Sequence, residues 1–393
     1  MSVLTCNLMS YMGKKNSSKN IMLPHSRAKV KFYKTYLEIY LRVLCNSPYI
    51  DVINIYDVFC GMGIYNDGGK GSPIEANDVI KDVCATFPSN TKICLHINDK
   101  SRKRVNAVKN YIQNSNGDAH DYTPIYTSLE GEKYLENLSS EIASTPSNTR
   151  NLIFIDPYGY KEIRKEIIDK LMFNGRTEVM IFLPISFMNR FTKHALEHDE
   201  VAMFQPLCNF VKSFFPNNHP VAEGKRMSHL EYISYLTCAL RFGNKYYTTS
   251  YHIERSQSNY FALFFLTSNV YGFEKILETK WKLDEKDGNG FELPKQASLF
   301  DDLEAEENKR IIFNKLYDRT VAYLSNGGKT NQDLYYFALA NEFLPKHMAE
   351  VLSALKQNGR LEIKEIAGCK PAMPGAYYLN RKEGNRIIVT LKK

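Results

Sequence analysis

The chain has 393 residues, of which 44% are hydrophobic and 24% charged, a balance typical of a globular protein with a full core. This length predicts two domains, or one large domain with an appendage. The net charge of +8 is compatible with a nucleic-acid partner but does not require one. Because no apolar run approaches the roughly 20 residues that span a bilayer and no signal-peptide pattern opens the chain, we expect no membrane contact and a cytoplasmic location.

The first two-thirds of the chain alternate between predicted helices and predicted strands. A helix with apolar residues at three- and four-residue steps is expected over 25–44. Predicted strands then follow at 51–59, 93–98, 123–126, 152–155 and 179–183, separated by helices at 72–87, 101–114, 131–143 and 162–171. For the helix 72–87, Ser72 is the expected N-cap. This alternation predicts a Rossmann-like, doubly wound and mostly parallel sheet covered on both faces.

The pattern changes after residue 183 and sets the expected domain boundaries. A helical insertion is predicted at about 189–242, and two β-rich runs, 246–254 and 259–268, predict an antiparallel hairpin that closes the sheet. We expect a flexible tail over 1–22, the Rossmann-like domain over 23–284 and an acidic linker over 285–308. The remaining part, 309–393, should hold three helices from 311 to 358 and strands at 361–365, 376–379 and 387–391, which predicts a winged-helix-like domain.

The segment Asp57-Val58-Phe59-Cys60-Gly61-Met62-Gly63 follows the first predicted strand. Glycines at this edge of an α/β sheet let the backbone turn tightly and approach a nucleotide-like ligand. Within the segment, Asp57, Phe59, Gly61 and Gly63 are the candidate ligand-binding residues, and the alternative is an ordinary strand-to-helix turn. A nicotinamide site is disfavoured because residue 66 is Asn where the dinucleotide fingerprint has a third glycine.

Polar residues also follow the second and third predicted strands. Asp99 is placed to accept hydrogen bonds from both hydroxyls of a ribose, and it can equally cap the helix that begins near residue 101. Ser128 lies where an adenine contact is often found, although a purely structural role is the stronger interpretation there.

The fourth predicted strand ends in Asp156-Pro157-Tyr158-Gly159-Tyr160. This resembles the Asp/Asn-Pro-Pro-Tyr motif of amino-methyltransferases, in which the acidic or amide side chain accepts a hydrogen bond from the exocyclic amine of a target base. The resemblance implies that Asp156, Pro157 and Tyr158 are catalytic, with the aromatic ring stacking on an extruded base. The present sequence has one proline and its aromatic residue comes one position early, so a turn with a buried aspartate stays an alternative.

No metal site is predicted from the cysteines or histidines. The eight cysteines contain no Cys-x-x-Cys pair, which is typical of a reducing compartment. His194 and His198 are four residues apart, but the order His-Ala-Leu-Glu-His differs from the His-Glu-x-x-His of metalloproteases. We interpret both as surface or satisfied histidines. His25 is either a phosphate contact or part of a solvated face, and the second interpretation is favoured.

Taken together, the glycine segment, Gly71-Ser72-Pro73 and the segment from Phe154 to Tyr160 make the chain resemble the three-Cys-motif partner (TcmP) proteins of bacteria. That family usually has Phe-Ala-Gly-x-Gly where this chain has Phe59-Cys60-Gly61-Met62-Gly63. The resemblance covers most of the chain and implies a class I methyltransferase fold with S-adenosylmethionine as cofactor. It also implies a radical-SAM-like protein partner that carries the three cysteines.

The sequence thus favours a methyltransferase acting on a nucleic-acid base amine, in DNA or RNA. The alternative is a non-catalytic module that binds the radical-SAM-like partner, nucleic acid or both. Predicted phosphate contacts are Lys193, Lys212, Lys225, Arg226, Lys370 and Arg381. In the last domain the second and third helices carry few cations, Lys346 and Lys356, so protein docking is at least as well supported there as a major-groove contact.

Overall fold

The computed structural model describes residues 20–87, 90–116, 122–293, 301–368, 373 and 375–392. The predicted tail therefore lies almost wholly outside the described residues. In the first part of the chain the elements are α1 (Pro24–Cys45), β1 (Val52–Asp57), α2 (Ser72–Thr86), β2 (Lys92–Asn98), α3 (Arg102–Asn116), β3 (Thr123–Thr127), α4 (Gly131–Ala143), β4 (Thr149–Ile155), α5 (Lys165–Met172) and β5 (Thr177–Leu183). They continue with α6 (Ile185–Glu197), α7 (Gln205–Phe214), α8 (His229–Ala239), β6 (Tyr247–Ser256), β7 (Asn259–Thr267), α9 (Val270–Leu283) and β8 (Gly290–Phe291). The last part holds α10 (Asp301–Ser325), β9 (Lys329–Thr330), α11 (Asn331–Ala340), α12 (Pro345–Gln357), β10 (Leu361–Glu365) and β11 (Ile387–Leu391).

The large sheet confirms the predicted Rossmann-like architecture. Its strand order is β3-β2-β1-β4-β5-β7-β6-β8. Strands β1 to β5 are parallel, while β7 runs antiparallel to both β5 and β6, so the hairpin closes the sheet as expected. The chain leaves β1 toward β2 on one side and returns to β4 on the other. The carboxyl ends of β1 and β4 therefore flank the topological switch point, where open α/β sheets bind ligands.

Both faces of the sheet are buried, as the β-branched strands predict. Ile53 and Ile55 of β1 belong to a core shared with α1, α2 and α9, whereas Tyr56 and Val58 belong to a second core with α4 to α8. Full burial of a side chain such as Ile55 contributes about 1.5–3 kcal/mol. The helical insertion is present as α6, α7 and α8, and it begins at Ile185, a few residues earlier than predicted.

The loop between β1 and α2 corrects one detail of the sequence analysis. Helix α2 begins at Ser72 with Gly71 as its N-cap, so Ser72 is not the cap. Gly71 is held in this position because its amide donates a hydrogen bond to the Gly63 carbonyl at 2.6 Å. Pro73 then occupies the first turn, as predicted.

The boundary between the two parts of the chain also differs from the prediction. Helix α10 begins at Asp301, so the predicted linker, 285–308, ends inside a helix. Acidic side chains are favourable in the first turns of a helix because its amino end carries a partial positive charge. An acidic run that the sequence pattern assigns to a linker can therefore begin a helix. Within the same predicted linker, β8 pairs with β6 and extends the large sheet.

The last part of the chain is a helical layer on a small antiparallel sheet of order β10-β11-β9. Its elements follow one another as helix, strand, helix, helix, strand, strand. The third strand is Lys329–Thr330, and the predicted strand 376–379 is wrong. Tyr377 packs into the small core and Tyr378 has φ +51°, a left-handed conformation that a strand does not accommodate.

Helix α9 joins the two parts of the molecule. Its Trp281 indole N–H donates to the Glu342 carbonyl at 2.9 Å, and its Lys280 ammonium contacts the Glu342 carboxylate at 2.5 Å. Glu274, one helical turn or more earlier, accepts a hydrogen bond from the Tyr335 hydroxyl at 2.5 Å. None of the helices described here combines the length and the apolar character that crossing a bilayer requires.

Candidate active site

A cavity of about 580 Å³ opens at the carboxyl edge of the large sheet, beside the switch point. Phe59 follows β1, Asp99 follows β2 and Tyr158 follows β4, and all three line this cavity. The opposite wall comes from the insertion and the hairpin, with Met203 and Phe261 among its residues. The volume falls in the range of about 300–1,000 Å³ that is typical of small-molecule sites.

Asp57, the last residue of β1, is fully buried beneath the glycine loop. Neither carboxylate oxygen has a well-formed hydrogen bond with the residues that the structure describes. Burial is the main reason that the pKa of Asp57 is raised from 3.8 to about 7. The nearby Asp156 charge acts in the same direction, whereas the Ser72 hydroxyl, the Phe59 amide and the Lys29 charge favour the charged form. A buried acid without a strong partner is a feature of binding and catalytic sites more often than of inert cores.

The two positions Gly61 and Gly63 of the loop differ in what a side chain would contact there. Both have positive φ, +61° for Gly61 and +73° for Gly63, in the left-handed region that favours glycine. A Cβ on Gly63 would lie 2.7 Å from Val108 Cγ2, so this residue is required by packing. A Cβ on Gly61 would meet nothing within 4 Å, so no packing contact requires a glycine there.

Asp99 has two sets of contacts, one at the start of the following helix and one with the glycine loop. One carboxylate oxygen accepts from the Ser101 amide at 2.8 Å, which is a helix-capping contact. The other accepts from the Gly61 amide at 3.2 Å and ties the acid to the glycine loop. Arg104 Nη1 lies 3.4 Å from the same oxygen. Asp99 thus lines the cavity and is held in place from two sides.

Asp156 follows β4 and forms an ion pair with Lys29 of α1, a contact that the sequence analysis missed. The Lys29 side chain is only 12% exposed, and its ammonium lies 4.7 Å from the centre of the Phe182 ring. Because the two residues are 127 positions apart, no local motif indicates the pair. The neighbouring Pro157 is buried and continues the backbone into the cavity wall.

The aromatic residues of the same motif take different positions. Tyr158 is 69% exposed, and the Arg104 guanidinium both donates to its hydroxyl and lies 5.1 Å from its ring centre. Tyr160 also lines the cavity and packs against Phe187 and Phe210. Tyr158 is therefore the more available ring, with one face covered by Arg104.

The remaining predicted residues lie at a distance from this constellation or have other partners. Ser128 is exposed and is not one of the cavity-lining residues, whereas Glu130 and Gly131 are. His25 stacks on Phe261, and its burial, then the charges of Arg255 and Lys29, lower its pKa to about 4. A neutral imidazole at physiological pH gives no support to a cationic phosphate contact there.

Half of the six predicted phosphate contacts are engaged with acidic neighbours. Three of them form ion pairs, namely Lys193 with Glu197, Lys212 with Asp199 and Lys225 with Glu223. Arg226 is exposed, the Arg381 guanidinium lies 4.9 Å from the Tyr271 ring centre, and Lys370 lies outside the described residues. Instead, the cavity itself is lined by three cations that the sequence analysis did not single out, Lys100, Lys161 and Arg255.

The sequence matches no protein-family model and no curated protein. Among solved structures, the chain is similar to an O-methyltransferase from Bacillus cereus in complex with SAH, with 14% identity, a TM-score of 0.32, and coverage of 67% of this chain and 88% of that one. It is also similar to Trm1 from Pyrococcus horikoshii in complex with S-adenosyl-L-methionine, with 10% identity, a TM-score of 0.34, and coverage of 97% and 94%. At these TM-scores the likenesses carry no conclusion about ligand or reaction, and the fold assignment rests on the strand order of this chain.

Proposed function

We propose that this protein is an S-adenosylmethionine-dependent methyltransferase that acts on an exocyclic amine of a nucleic-acid base. The observation that carries the proposal is the cavity at the switch point, which is lined by Phe59, Asp99 and Tyr158. Asp156 comes two residues before Tyr158 and is not itself a lining residue. An eight-stranded sheet closed by a hairpin, with acidic residues at the carboxyl ends of β1, β2 and β4, supports this chemistry because open α/β sheets bind ligands at that edge.

The residues at the β1 and β2 ends fit the proposed cofactor. Asp57 offers a buried carboxylate with no strong partner, a suitable counter-charge for an ammonium group reached directly or through water. Asp99, fixed by the Gly61 and Ser101 amides, presents a carboxylate to the cavity for two ribose hydroxyls. Gly61 leaves open space beside the loop. When bound, S-adenosylmethionine supplies an electrophilic methyl group.

The residues after β4 would orient the acceptor. Asp156 accepts a hydrogen bond from the base amine and so directs the nitrogen lone pair toward the methyl group. In the present arrangement Lys29 forms an ion pair with this carboxylate and holds it in place. We infer that Lys29 is a positioning residue for Asp156. Tyr158 offers its free ring face for stacking on a base.

A nucleic-acid substrate is supported by the chemistry of the cavity walls. Phe59, Tyr158, Tyr160, Phe187 and Phe261 provide flat apolar surfaces against which a base can pack. Three cations line the same space. Lys100 pairs with Glu130 and Lys161 with Glu162, which leaves Arg255 as the best match for a phosphate group. Aromatic rings between cations are the combination that proteins use for unpaired nucleotides.

The last part of the chain supports a partner role. Its helix and strand order agrees with a winged helix, and α12 would be the recognition element. The exposed residues of α12 include Lys346, Glu350 and Lys356, a nearly balanced set that favours a protein surface over a phosphate backbone. We propose that a radical-SAM-like protein with three cysteines, implied by the resemblance to the TcmP proteins, docks on this part.

A non-catalytic binding module is the second candidate, and one observation favours it. The Lys29 ammonium already occupies Asp156, so an incoming amine has to share or displace this partner. If the pair is permanent, the cavity can bind cofactor and base without transfer.

The test has two steps, performed on the full chain. Isothermal titration should show S-adenosylmethionine binding to the wild type and its loss by at least about tenfold in Asp99→Ala, because the two ribose contacts disappear. Transfer of labelled methyl groups to DNA and RNA should then fall by about 100-fold or more in Asp156→Ala, in line with the usual contribution of a positioned acid or base.

The matched control is Asp82→Asn, an exposed aspartate on α2 far from the β4 end. It should leave both cofactor binding and transfer unchanged. If the wild type binds the cofactor while Asp156→Ala and Asp82→Asn transfer label equally, Asp156 is not catalytic. If the wild type transfers no label to any nucleic acid, the binding-module candidate replaces the enzyme.

A further inference from the structure

The last turn of α6 brings three potential metal ligands together. Nitrogen atoms of His194 and His198 and a carboxylate oxygen of Glu197 all lie within 4.8 Å of one another. The two imidazole rings have centres 4.4 Å apart and project from the same face of the helix, as residues four apart do. The order His-Ala-Leu-Glu-His differs from the metalloprotease order His-Glu-x-x-His. In the structure the two imidazoles and the carboxylate nevertheless lie close together.

The surroundings of this cluster also favour a cation. His198 caps the carboxyl end of α6, where the helix presents unpaired carbonyls and a partial negative charge. The Glu200 carboxylate lies 3.6 Å from His198 Nδ1 and adds a second acidic group beside the cluster. The competing cation is Lys193, whose ammonium lies 3.7 Å from Glu197. Two imidazoles and a carboxylate are a donor set that suits zinc, whereas magnesium and calcium favour sites made of oxygen ligands.

We propose that His194, Glu197 and His198 form a binding site for Zn²⁺. The site is separate from the cavity, and it does not depend on the methyltransferase assignment. The fourth position is taken by Glu200 or by water, as in sites with three protein ligands.

The site sits beside one wall of the cavity and so would stabilise that wall. Residues 199–204 connect α6 to α7, and Ala202 and Met203 of this segment line the cavity. Phe204, at the end of the segment, packs edge-on against the His194 ring, 4.7 Å between centres. An ion that fixes His194 and His198 therefore restrains both ends of the connection.

Isothermal titration of the full chain with zinc chloride at pH 7.5 tests the proposal. The wild type should bind one Zn²⁺, and magnesium chloride should give no signal. His194→Ala and His198→Ala should each weaken binding by at least about tenfold, since even outer-shell changes cost 10–100-fold. The double variant should not bind.

Lys193→Ala is the matched control on the same helix. It keeps all three ligands and removes the ammonium beside Glu197, so zinc affinity should be equal to or higher than that of the wild type. The thermal unfolding midpoint without metal establishes that each variant folds. Zinc should raise this midpoint in the wild type and in Lys193→Ala, and should leave it unchanged in the double histidine variant. Absence of wild-type binding, or equal binding by the double histidine variant, overturns the site.

Hydrogen exchange tests the link to the cavity wall. Zinc should slow amide exchange in residues 199–204 of the wild type and leave the double variant unchanged. If zinc binds through the histidines but exchange in this segment does not change, the ion does not restrain the wall.

Discussion

Replacing Asp57 by Asn should make the protein more stable above neutral pH. The carboxyl group is fully buried, and burial raises its pKa from 3.8 to about 7. One pKa unit corresponds to 1.36 kcal/mol, so a rise of about three units amounts to about 4 kcal/mol. This is the free energy that folding loses once the group is ionised in both states. Asn has nearly the same shape and no charge, so the variant avoids this cost.

The sign of the effect follows from proton binding in the two states. In the unfolded chain Asp57 releases its proton near pH 4, whereas in the folded chain it does so near pH 7. Its favourable contribution to folding is therefore complete below pH 4 and is lost as the pH rises to 7. Between these values the wild type should lose about 1.4 kcal/mol per pH unit relative to Asp57→Asn. Above pH 7 the difference should be constant.

Urea unfolding of both proteins at pH 5, 6, 7 and 8, at fixed ionic strength, measures this difference. Titrating groups that do not interact with Asp57 are common to both proteins and cancel in this difference. Asp82→Asn, on an exposed residue, should track the wild type throughout. A difference between wild type and Asp57→Asn that stays level from pH 5 to pH 8 would refute the reasoning, because it would mean that the buried carboxyl group titrates normally.

The same residue links stability to the proposed cofactor. An ammonium group beside Asp57 would favour the ionised carboxylate, so wild-type affinity for S-adenosylmethionine should increase as the pH rises toward 7. Affinity of Asp57→Asn should be weaker and level over this range. Equal pH dependence in the two proteins would remove Asp57 from the cofactor site.

Two further predictions concern packing. Gly63→Ala should destabilise the protein by about 1–3 kcal/mol more than Gly61→Ala, because both strain a left-handed backbone but only the Gly63 Cβ meets Val108; equal losses in chemical denaturation would contradict this. Glu342→Gln should cost about 2–3 kcal/mol, since it leaves the buried Lys280 ammonium with a weaker partner. Adding Lys280→Met to that variant should restore part of the loss, and if the double variant is less stable than Glu342→Gln, the ion pair is not the cause.

The sequence was sufficient for the large sheet because its strands are apolar runs between amphipathic helices. The predicted helix 131–143 has the same bounds as α4, and the predicted strands 361–365 and 387–391 have those of β10 and β11. It was insufficient where pairing is not local. The two residues of β9 and of β8 have no periodic signal of their own and are strands only because β11 and β6 lie beside them.

The candidate site divides in the same way. Asp57, Gly61, Asp99 and Asp156 follow strands, and since parallel strands end at one edge, their convergence can be predicted from the sequence. The residues that position them come from elsewhere along the chain. Lys29 reaches Asp156 from the first helix, and no spacing rule connects positions so far apart. The phosphate contacts were chosen by charge alone, which does not reveal that half of them are already paired with a neighbouring carboxylate.

Helix α9 serves two cores at once, and this limits how the molecule can be dissected. The core of the large sheet includes Phe273, Ile276 and Leu277 of this helix. Trp281 packs against the core of the last part of the chain, α10 to β11, which we call the small domain. A chain that ended before residue 301 would expose Trp281 to solvent. The Lys280 ammonium would lose its Glu342 partner and keep only the Thr249 hydroxyl. A loss of activity in such a shortened protein would then have two causes that cannot be separated, the missing contacts of the small domain and the lower stability of the large sheet. Single substitutions on the exposed face of α12 avoid that ambiguity and are the cleaner way to ask what the small domain recognises.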